Sequence, residues 1–241
     1  MNRSPLHPFT LSPCHPLTNS YPRRMPAPHV RPEDRQIIRV LRAVNICFCR
    51  IYHRLTVHSP HQLPRSGPAI LVCNHVSGLD PLLVQSVCPR VITWMIAREY
   101  YEVRGLNWVF KQVGLIPVER TGRDLSATRA AMRVLAHGAV LGVFPEGRIE
   151  PTRELLPFQT GVALMAIKTK VPVFPAWVEG TQRGEGVARA VLTPCTASVA
   201  FGPAVDFDRS STSREALDAA TQKIANAVKD LRSKHAGAEL R

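Results

Sequence analysis

Short apolar runs, each separated from the next by a helix-like segment, constrain the fold of this chain most strongly. Ala69–Cys73 and Val140–Phe144 carry no polar side chain at any position, instead of alternating apolar and polar residues. Such runs are typical of strands that are buried on both faces, and strands separated by helices are typical of a parallel sheet. We therefore predict an α/β fold with a mostly parallel central sheet flanked by helices.

The rest of the chain continues this alternation. Further strands are predicted at Val91–Ala97, Leu115–Val118, Pro172–Val178 and Ala197–Phe201, and helices at Pro81–Val87, Leu106–Val113, Asp124–His137, Gly161–Lys168 and residues 212–235. No internal repeat is visible, so residues 33–241 are predicted to form a single domain.

The first 32 residues differ from this pattern. They contain eight of the 21 prolines and no Asp or Glu, and they show no helical or strand period. We predict a disordered leader over residues 1–32, with prolines that interrupt any signal-peptide core. Met25 is an alternative first residue, and the sequence does not decide between it and Met1.

Residues 33–57 are predicted to form an N-terminal amphipathic helix. Its apolar positions advance by three or four residues, and its arginines fall on the opposite side. The apolar set is Ile37, Leu41, Val44, Phe48, Ile51 and Leu55, and the basic set is Arg35, Arg39, Arg42, Arg50 and Arg54. Such a helix either lies in the plane of an anionic bilayer or packs on the domain with its arginines in solvent, and both interpretations stay open.

The net charge narrows the class of partner. The chain has 31 Lys and Arg against 18 Asp and Glu, a formal charge of +13, which suits nucleic acid, an anionic membrane or a phosphorylated molecule. Aromatic residues make up only 6% and no nucleic-acid-binding motif appears, which disfavours nucleic acid. No uncharged apolar run is long enough for a transmembrane helix, and the six cysteines show neither metal-ligand nor disulfide spacing.

A His and an Asp follow the strand Ala69–Cys73, in the segment Asn74–Asp80. Histidine can act as a base near neutral pH, and a carboxylate on its second nitrogen orients it, as in a hydrolase triad. No enzyme nucleophile accompanies the pair, which suggests that the substrate's own hydroxyl is activated. Alternatively, Asp80 is only the N-cap of a helix that begins with Pro81.

Two further segments place charged residues after strands. Phe144–Arg148 contains Glu146, Gly147 and Arg148, which suit a phosphate- or glycerol-binding loop, and Gly114–Arg120 ends on Arg120. Taken alone, Phe144–Arg148 is also consistent with a simple polar turn. Arg120, at the end of Gly114–Arg120, is also consistent with a solvated arginine at the edge of the sheet.

In their order and spacing these segments resemble the glycerophospholipid acyltransferase family, typified by 1-acylglycerol-3-phosphate acyltransferase. The family's four blocks correspond to Asn74–Asp80, Gly114–Arg120, Phe144–Arg148 and Val171–Pro175. The resemblance covers roughly residues 35–205 and implies that residues 33–241 form an acyltransferase domain.

The resemblance also implies roles for the site residues. His75 would be the catalytic base and Asp80 its partner, while the substrate-binding residues would be Asn74, Arg98, Arg120, Glu146, Gly147 and Arg148. Two departures concern the acceptor: Arg148 follows Gly147 without the family's intervening Thr, and Gln159 replaces a usual Lys.

The implied reaction is direct acyl transfer from acyl-CoA or acyl carrier protein to a hydroxyl of 1-acylglycerol-3-phosphate, giving phosphatidic acid in phospholipid synthesis. It needs no cofactor and no metal. The expected setting is peripheral, on the anionic cytoplasmic face of a bacterial inner membrane. The alternatives are another acceptor (glycerol-3-phosphate, a lysophospholipid or a lyso-aminolipid) and a basic nucleic-acid- or membrane-binding module without catalysis.

Overall fold

The structure, a computed structural model, describes residues 35–105, 107–119, 124–149, 155–182 and 186–236. All of them belong to one compact unit, Arg31–Arg241. The leader predicted over residues 1–32 lies outside the described residues, and so does Arg120.

Seven strands of the described residues form one sheet in the order β1-β7-β6-β2-β5-β3-β4. The strands are β1 (Thr56–Ser59), β2 (Ala69–Cys73), β3 (Ile92–Ala97), β4 (Ile116–Val118), β5 (Val140–Val143), β6 (Val173–Glu179) and β7 (Ser198–Phe201). Every neighbouring pair is parallel except β6 and β7. The predicted mostly parallel α/β sheet is therefore confirmed, and the carboxyl ends of β2 to β6 meet at one edge, where ligands bind in such sheets.

Helices pack on both faces of the sheet. The helices of the described residues are α1 (Gln36–Cys47), α2 (Asp80–Val87), α3 (Arg98–Tyr101), α4 (Asn107–Val113), α5 (Leu125–Ala136), α6 (Gly161–Thr169), α7 (Val187–Leu192) and α8 (Arg214–Ala236). The sequence did not predict α3 and α7. No helix in the described ranges combines the length and apolarity that crossing a membrane requires.

Burial on both faces of the sheet explains why the central strands are apolar throughout. In β2, Ile70 and Val72 join a core with residues of α5, α6 and α8, while Leu71 and Cys73 join a second core with α2 on the other face. Because both faces are covered, every position of the strand is apolar. The five described cysteines are free thiols.

The predicted C-terminal helix over residues 212–235 begins two residues later than expected. Ser213 Oγ accepts the backbone N–H of Ala216 at 3.2 Å, which makes Ser213 the N-cap of a helix that starts at Arg214.

The helix predicted over residues 33–57 is wrong at its C-terminal end. It ends in a π-helical turn, Phe48–Tyr52, after which Arg54 takes a positive φ of 44°. The following residues form β1, in which Val57 pairs with Val199 of β7. Strand pairing with residues more than a hundred positions away prevails over the local helical period.

Helix α1 packs on the domain through Arg42 and Asn45, although one of the two interpretations placed all its arginines in solvent. Arg42 donates to the carbonyl oxygens of Cys88 and Pro89 at 2.9 and 2.5 Å, and Asn45 Nδ2 donates to Leu82 O at 2.9 Å. The prediction that Arg42 lies on the solvated side is therefore wrong. Apolar residues are left exposed instead: Ile37, Val40, Val44 and Ile51.

Candidate functional site

His75 and Asp80 are in direct contact at the carboxyl end of β2. Asp80 Oδ2 lies 3.0 Å from His75 Nδ1, and the carboxylate is fully buried whereas His75 is partly exposed. Since an ionised carboxylate only accepts hydrogen bonds, the imidazole proton lies on Nδ1 and Nε2 presents its lone pair. The pair has the geometry of a general base with its orienting partner.

Asp80 is not a helix cap. Its Oδ2 accepts the backbone N–H groups of Val76 and Ser77 at 2.8 and 2.9 Å, both of which precede α2. The N–H groups of Leu82 and Leu83, at the start of the helix, donate to Leu79 O instead. The carboxylate therefore folds the loop back on itself, which brings His75 within reach although the two residues are five apart.

Thr181 also contacts this carboxylate, and the sequence did not identify it. It follows β6, is buried, and lies with Oγ1 3.4 Å from Asp80 Oδ1. The signal that would have found it is its place just beyond the carboxyl end of a predicted strand, next to the strand that carries the base.

Two neighbours shape the loop from His75 to Asp80. A Cβ on Gly78 would lie 2.6 Å from Val187 Cγ2, so α7 packs against the loop where only glycine fits. Asn74 is buried and exchanges two hydrogen bonds with the backbone of Val178, at 2.8 and 2.9 Å. Both ends of its amide hold the loop to β6, and its part in substrate binding stays a prediction.

Glu146 fastens the base loop to the loop after β5. Its Oε1 accepts the N–H of His75 at 2.7 Å and its Oε2 accepts the N–H of Leu156 at 3.0 Å. Burial raises the pKa of this carboxyl above its ordinary value, although the two backbone N–H donors oppose the shift. Glu146 therefore positions backbone through both oxygens, and its part in substrate binding stays a prediction.

Gly147 and Arg148 line a surface pocket next to this carboxylate. The pocket is also lined by Glu146 itself and by Leu156, Pro157 and Gln159. Gly147 has a φ of +74°, and a Cβ there would lie 2.2 Å from Gln159 Nε2. Arg148 is exposed at this pocket, so its guanidinium is accessible to an anionic ligand.

Arg98 begins α3 directly after β3, at the same edge of the sheet. Its guanidinium contacts the carboxylate of Glu119, which follows β4, and lies 3.8 Å from Glu102 Oε1. The structure thus brings Arg98, Glu146, Gly147 and Arg148 to the edge that carries His75. In the described part of the chain, no three His, Cys, Asp or Glu side chains are grouped to hold a metal ion.

Comparisons with known proteins agree with this geometry. The profile of the Acyltransferase family matches residues 54–179, just over half of the chain. The 1-acyl-sn-glycerol-3-phosphate acyltransferase of Bacillus subtilis is 25% identical over 179 residues, which cover 74% of this chain and 88% of that protein. The human 1-acyl-sn-glycerol-3-phosphate acyltransferase alpha is 30% identical over 155 residues, and the match spans about half of its length, 55%.

A solved structure shares the fold. The crystal structure of the 1-acyl-sn-glycerophosphate acyltransferase PlsC from Thermotoga maritima superimposes with a TM-score of 0.66 at 24% identity, covering 83% of this chain and 82% of the other.

Proposed function

Because the chain belongs to the acyltransferase family, we propose that it moves a fatty acyl group from an acyl thioester to the free hydroxyl of 1-acylglycerol-3-phosphate, giving phosphatidic acid. The observation that carries the proposal is the 3.0 Å contact between His75 Nδ1 and the buried carboxylate of Asp80. The names of the relatives support the acceptor.

In the proposed reaction, His75 Nε2 takes the hydroxyl proton as the acceptor oxygen attacks the thioester carbonyl. Asp80 stabilises the imidazolium that forms. When the tetrahedral intermediate collapses, the C–S bond breaks and the leaving thiolate receives the proton from Nε2. General base catalysis of this kind contributes about 10²–10⁴-fold, and holding the two substrates together supplies much of the rest.

The developing oxyanion needs an N–H donor, and the glycines near the base are Gly78 and Gly147. The N–H of Gly147 donates to Phe144 O at 3.1 Å, and those of Val76, Ser77 and Asp80 also donate within the protein, so we assign this role to the N–H of Gly78. Gly78 lies in the loop next to the base, since its neighbours Val76 and Ser77 donate to the same carboxylate as His75.

Arginines at the sheet edge suit the acceptor's phosphate. Arg98 follows β3, which is separated from β2 only by β5. Neighbouring strands lie about 4.8 Å apart, so the backbone of Arg98 is roughly 10 Å from the strand that carries His75. A side chain of this length can reach a phosphate that is one glycerol unit away from the reacting hydroxyl. Arg148 and Arg120 are proposed to share this role, as the family resemblance implies.

The surface next to α1 suits the membrane that supplies a lysophospholipid. Val40, Val44 and Ile51 are 52%, 61% and 77% exposed. Arg39, Arg50 and Arg54 are exposed among them. An apolar row flanked by arginines fits the interface of an anionic bilayer, so we propose peripheral attachment at the cytoplasmic face of a bacterial inner membrane. Acyl-CoA and acyl carrier protein both remain proposed donors.

A different acceptor is the second candidate. The pocket beside Arg148 contains Gln159 where the family usually has a lysine, so it carries one positive charge less. The test is ester formation by the full chain with one acyl thioester and a panel of 1-acylglycerol-3-phosphate, glycerol-3-phosphate, lysophosphatidylethanolamine and a lyso-aminolipid. The highest kcat/KM with 1-acylglycerol-3-phosphate supports the proposal, a higher value with another acceptor replaces the acceptor, and no transfer to any acceptor refutes it.

A further inference from the structure

Three aromatic rings stack in a column that ends on the proposed base. The ring centroids of Trp94 and Phe144 are 4.7 Å apart with 9° between their planes. Phe144 in turn lies 4.0 Å from the imidazole of His75, at 15°. We call Trp94, Phe144 and His75 the aromatic column.

The sheet makes room for this column at one glycine. Trp94 of β3 pairs with Gly142 of β5, and a Cβ on Gly142 would lie 2.4 Å from Trp94 Cε3. The indole therefore lies across β5 and meets the ring of Phe144, two residues further along and on the same face. Glycine inside a buried strand often marks such a close approach.

The hydrogen bond to Asp80 alone leaves the imidazole incompletely restrained. It fixes Nδ1, but the second side-chain torsion of histidine has a broad energy minimum, so the ring plane can swing about that contact. The flat stack on Phe144 restrains the plane, and therefore the direction in which Nε2 points. Trp94, 5% exposed, fills the space behind Phe144.

We propose that Phe144, backed by Trp94, is a positioning residue for acyl transfer: it holds the plane of the His75 imidazole so that Nε2 faces the acceptor hydroxyl. The expected effect on kcat rests on the proposed function, whereas the stacking of Phe144 on His75 can be tested without any activity. Trp94 Nε1 has no hydrogen-bond partner among the described residues, so Trp94→Phe keeps a stacked ring and removes no hydrogen bond.

The kinetic test compares Phe144→Leu and Phe144→Tyr with the control Phe174→Leu, which removes a buried ring from β6 in the same core. Misplacement of a reacting group costs up to about 10²-fold. We expect Phe144→Leu to lower kcat by about 10- to 100-fold with KM for both substrates within threefold. Phe144→Tyr should retain most of the wild-type kcat. Phe174→Leu should lower Tm by about as much as Phe144→Leu does, while its kcat stays within threefold of the wild-type value. Equal losses of kcat in Phe144→Leu and Phe174→Leu, or an unchanged kcat in Phe144→Leu, would overturn the proposal.

A second pair of variants covers the case in which Phe144→Leu does not fold. Trp94→Leu should lower kcat by about tenfold and Trp94→Phe should restore it, because a planar ring again backs Phe144. Equal kcat in these two variants contradicts the proposal.

NMR tests the column apart from the chemistry. The His75 ring protons should be shifted upfield by the Phe144 ring current and should move downfield in Phe144→Leu. Unmoved resonances would overturn the column even in an active enzyme. If the wild type transfers no acyl group to any acceptor, the proposed function fails, and the same resonances still decide whether Phe144 sets the ring plane.

Discussion

The backbone N–H of His75 donates to Glu146 Oε1 at 2.7 Å, so the loop that carries the proposed base is fastened to the loop after β5. The other carboxylate oxygen holds Leu156 N–H at 3.0 Å. One buried carboxylate thus sets the relative position of the base and of the pocket next to Gly147.

Replacing Glu146 should therefore reduce both stability and turnover. In Glu146→Gln one of the two backbone N–H groups loses its acceptor, which costs about 1–3 kcal/mol for a buried donor. We expect urea unfolding to show this decrease in the free energy of unfolding. We also expect kcat to fall at least about tenfold, because the base shifts with its loop. Wild-type kcat in Glu146→Gln would contradict the positioning role.

The pH dependence of stability has a defined sign at this residue. Burial raises the pKa of Glu146 above its ordinary value of 4.5, so the folded state binds the proton more tightly than the unfolded state. The wild type should gain stability relative to Glu146→Gln as the pH falls from above the raised pKa towards 4.5. Urea unfolding of both proteins across this pH range measures the difference between their free energies of unfolding. A difference that stays constant with pH would contradict the raised pKa.

Gly147 should tolerate no side chain. Gly147→Ala combines a positive φ with a contact of 2.2 Å to the amide of Gln159, so we expect a lower Tm and weaker acceptor binding. Adding Gln159→Ala should recover only part of the Tm, because the backbone strain remains. Gly161→Ala, where no atom lies within 4 Å, is the matched control and should keep the wild-type Tm.

Arg98 and Glu119 should change acceptor binding in opposite directions. Arg98→Ala removes a proposed phosphate ligand and should raise the acceptor KM by about tenfold, at unchanged donor KM. Glu119→Gln removes the carboxylate that contacts the same guanidinium and should lower the acceptor KM. Steady-state kinetics at fixed ionic strength measures both, and an equal acceptor KM in all three proteins would contradict the phosphate role.

The exposed residues of α1 should control membrane binding. Val40→Asp with Val44→Asp should reduce co-sedimentation with anionic vesicles, whereas Leu125→Asp, on the exposed face of α5, should leave it unchanged. Binding of the wild type should weaken at high salt and with neutral lipid. Equal loss in both variants would argue against an interface at α1.

The sequence predicted the elements whose signal is local. The strand Ala69–Cys73 has the expected bounds because burial on both faces requires five consecutive apolar residues. The contact between His75 and Asp80 was expected from the family resemblance, whereas the residues alone left open that Asp80 is a helix cap.

Features that depend on distant partners were not predicted. Residues Thr56–Ser59 form a strand only because β7 lies beside them. The hydrogen bonds between Asn74 and Val178 were not predicted, because the two residues are 104 positions apart. Trp94 read as an ordinary strand residue, since its stacking on Phe144 requires β3 and β5 to be neighbours.

The most direct test of the account is the rate of acyl transfer to 1-acylglycerol-3-phosphate by His75→Ala, with Asp80→Asn beside it and Thr181→Val as the matched control. Removing the base should lower kcat by about 10²–10⁴-fold in a protein that still folds, because Asp80 keeps the N–H groups of Val76 and Ser77 as partners. Asp80→Asn should lower kcat by most of the same factor. Thr181→Val, which removes a contact of 3.4 Å, should lower kcat by less than about tenfold. Near-normal turnover in a folded His75→Ala protein would contradict the account.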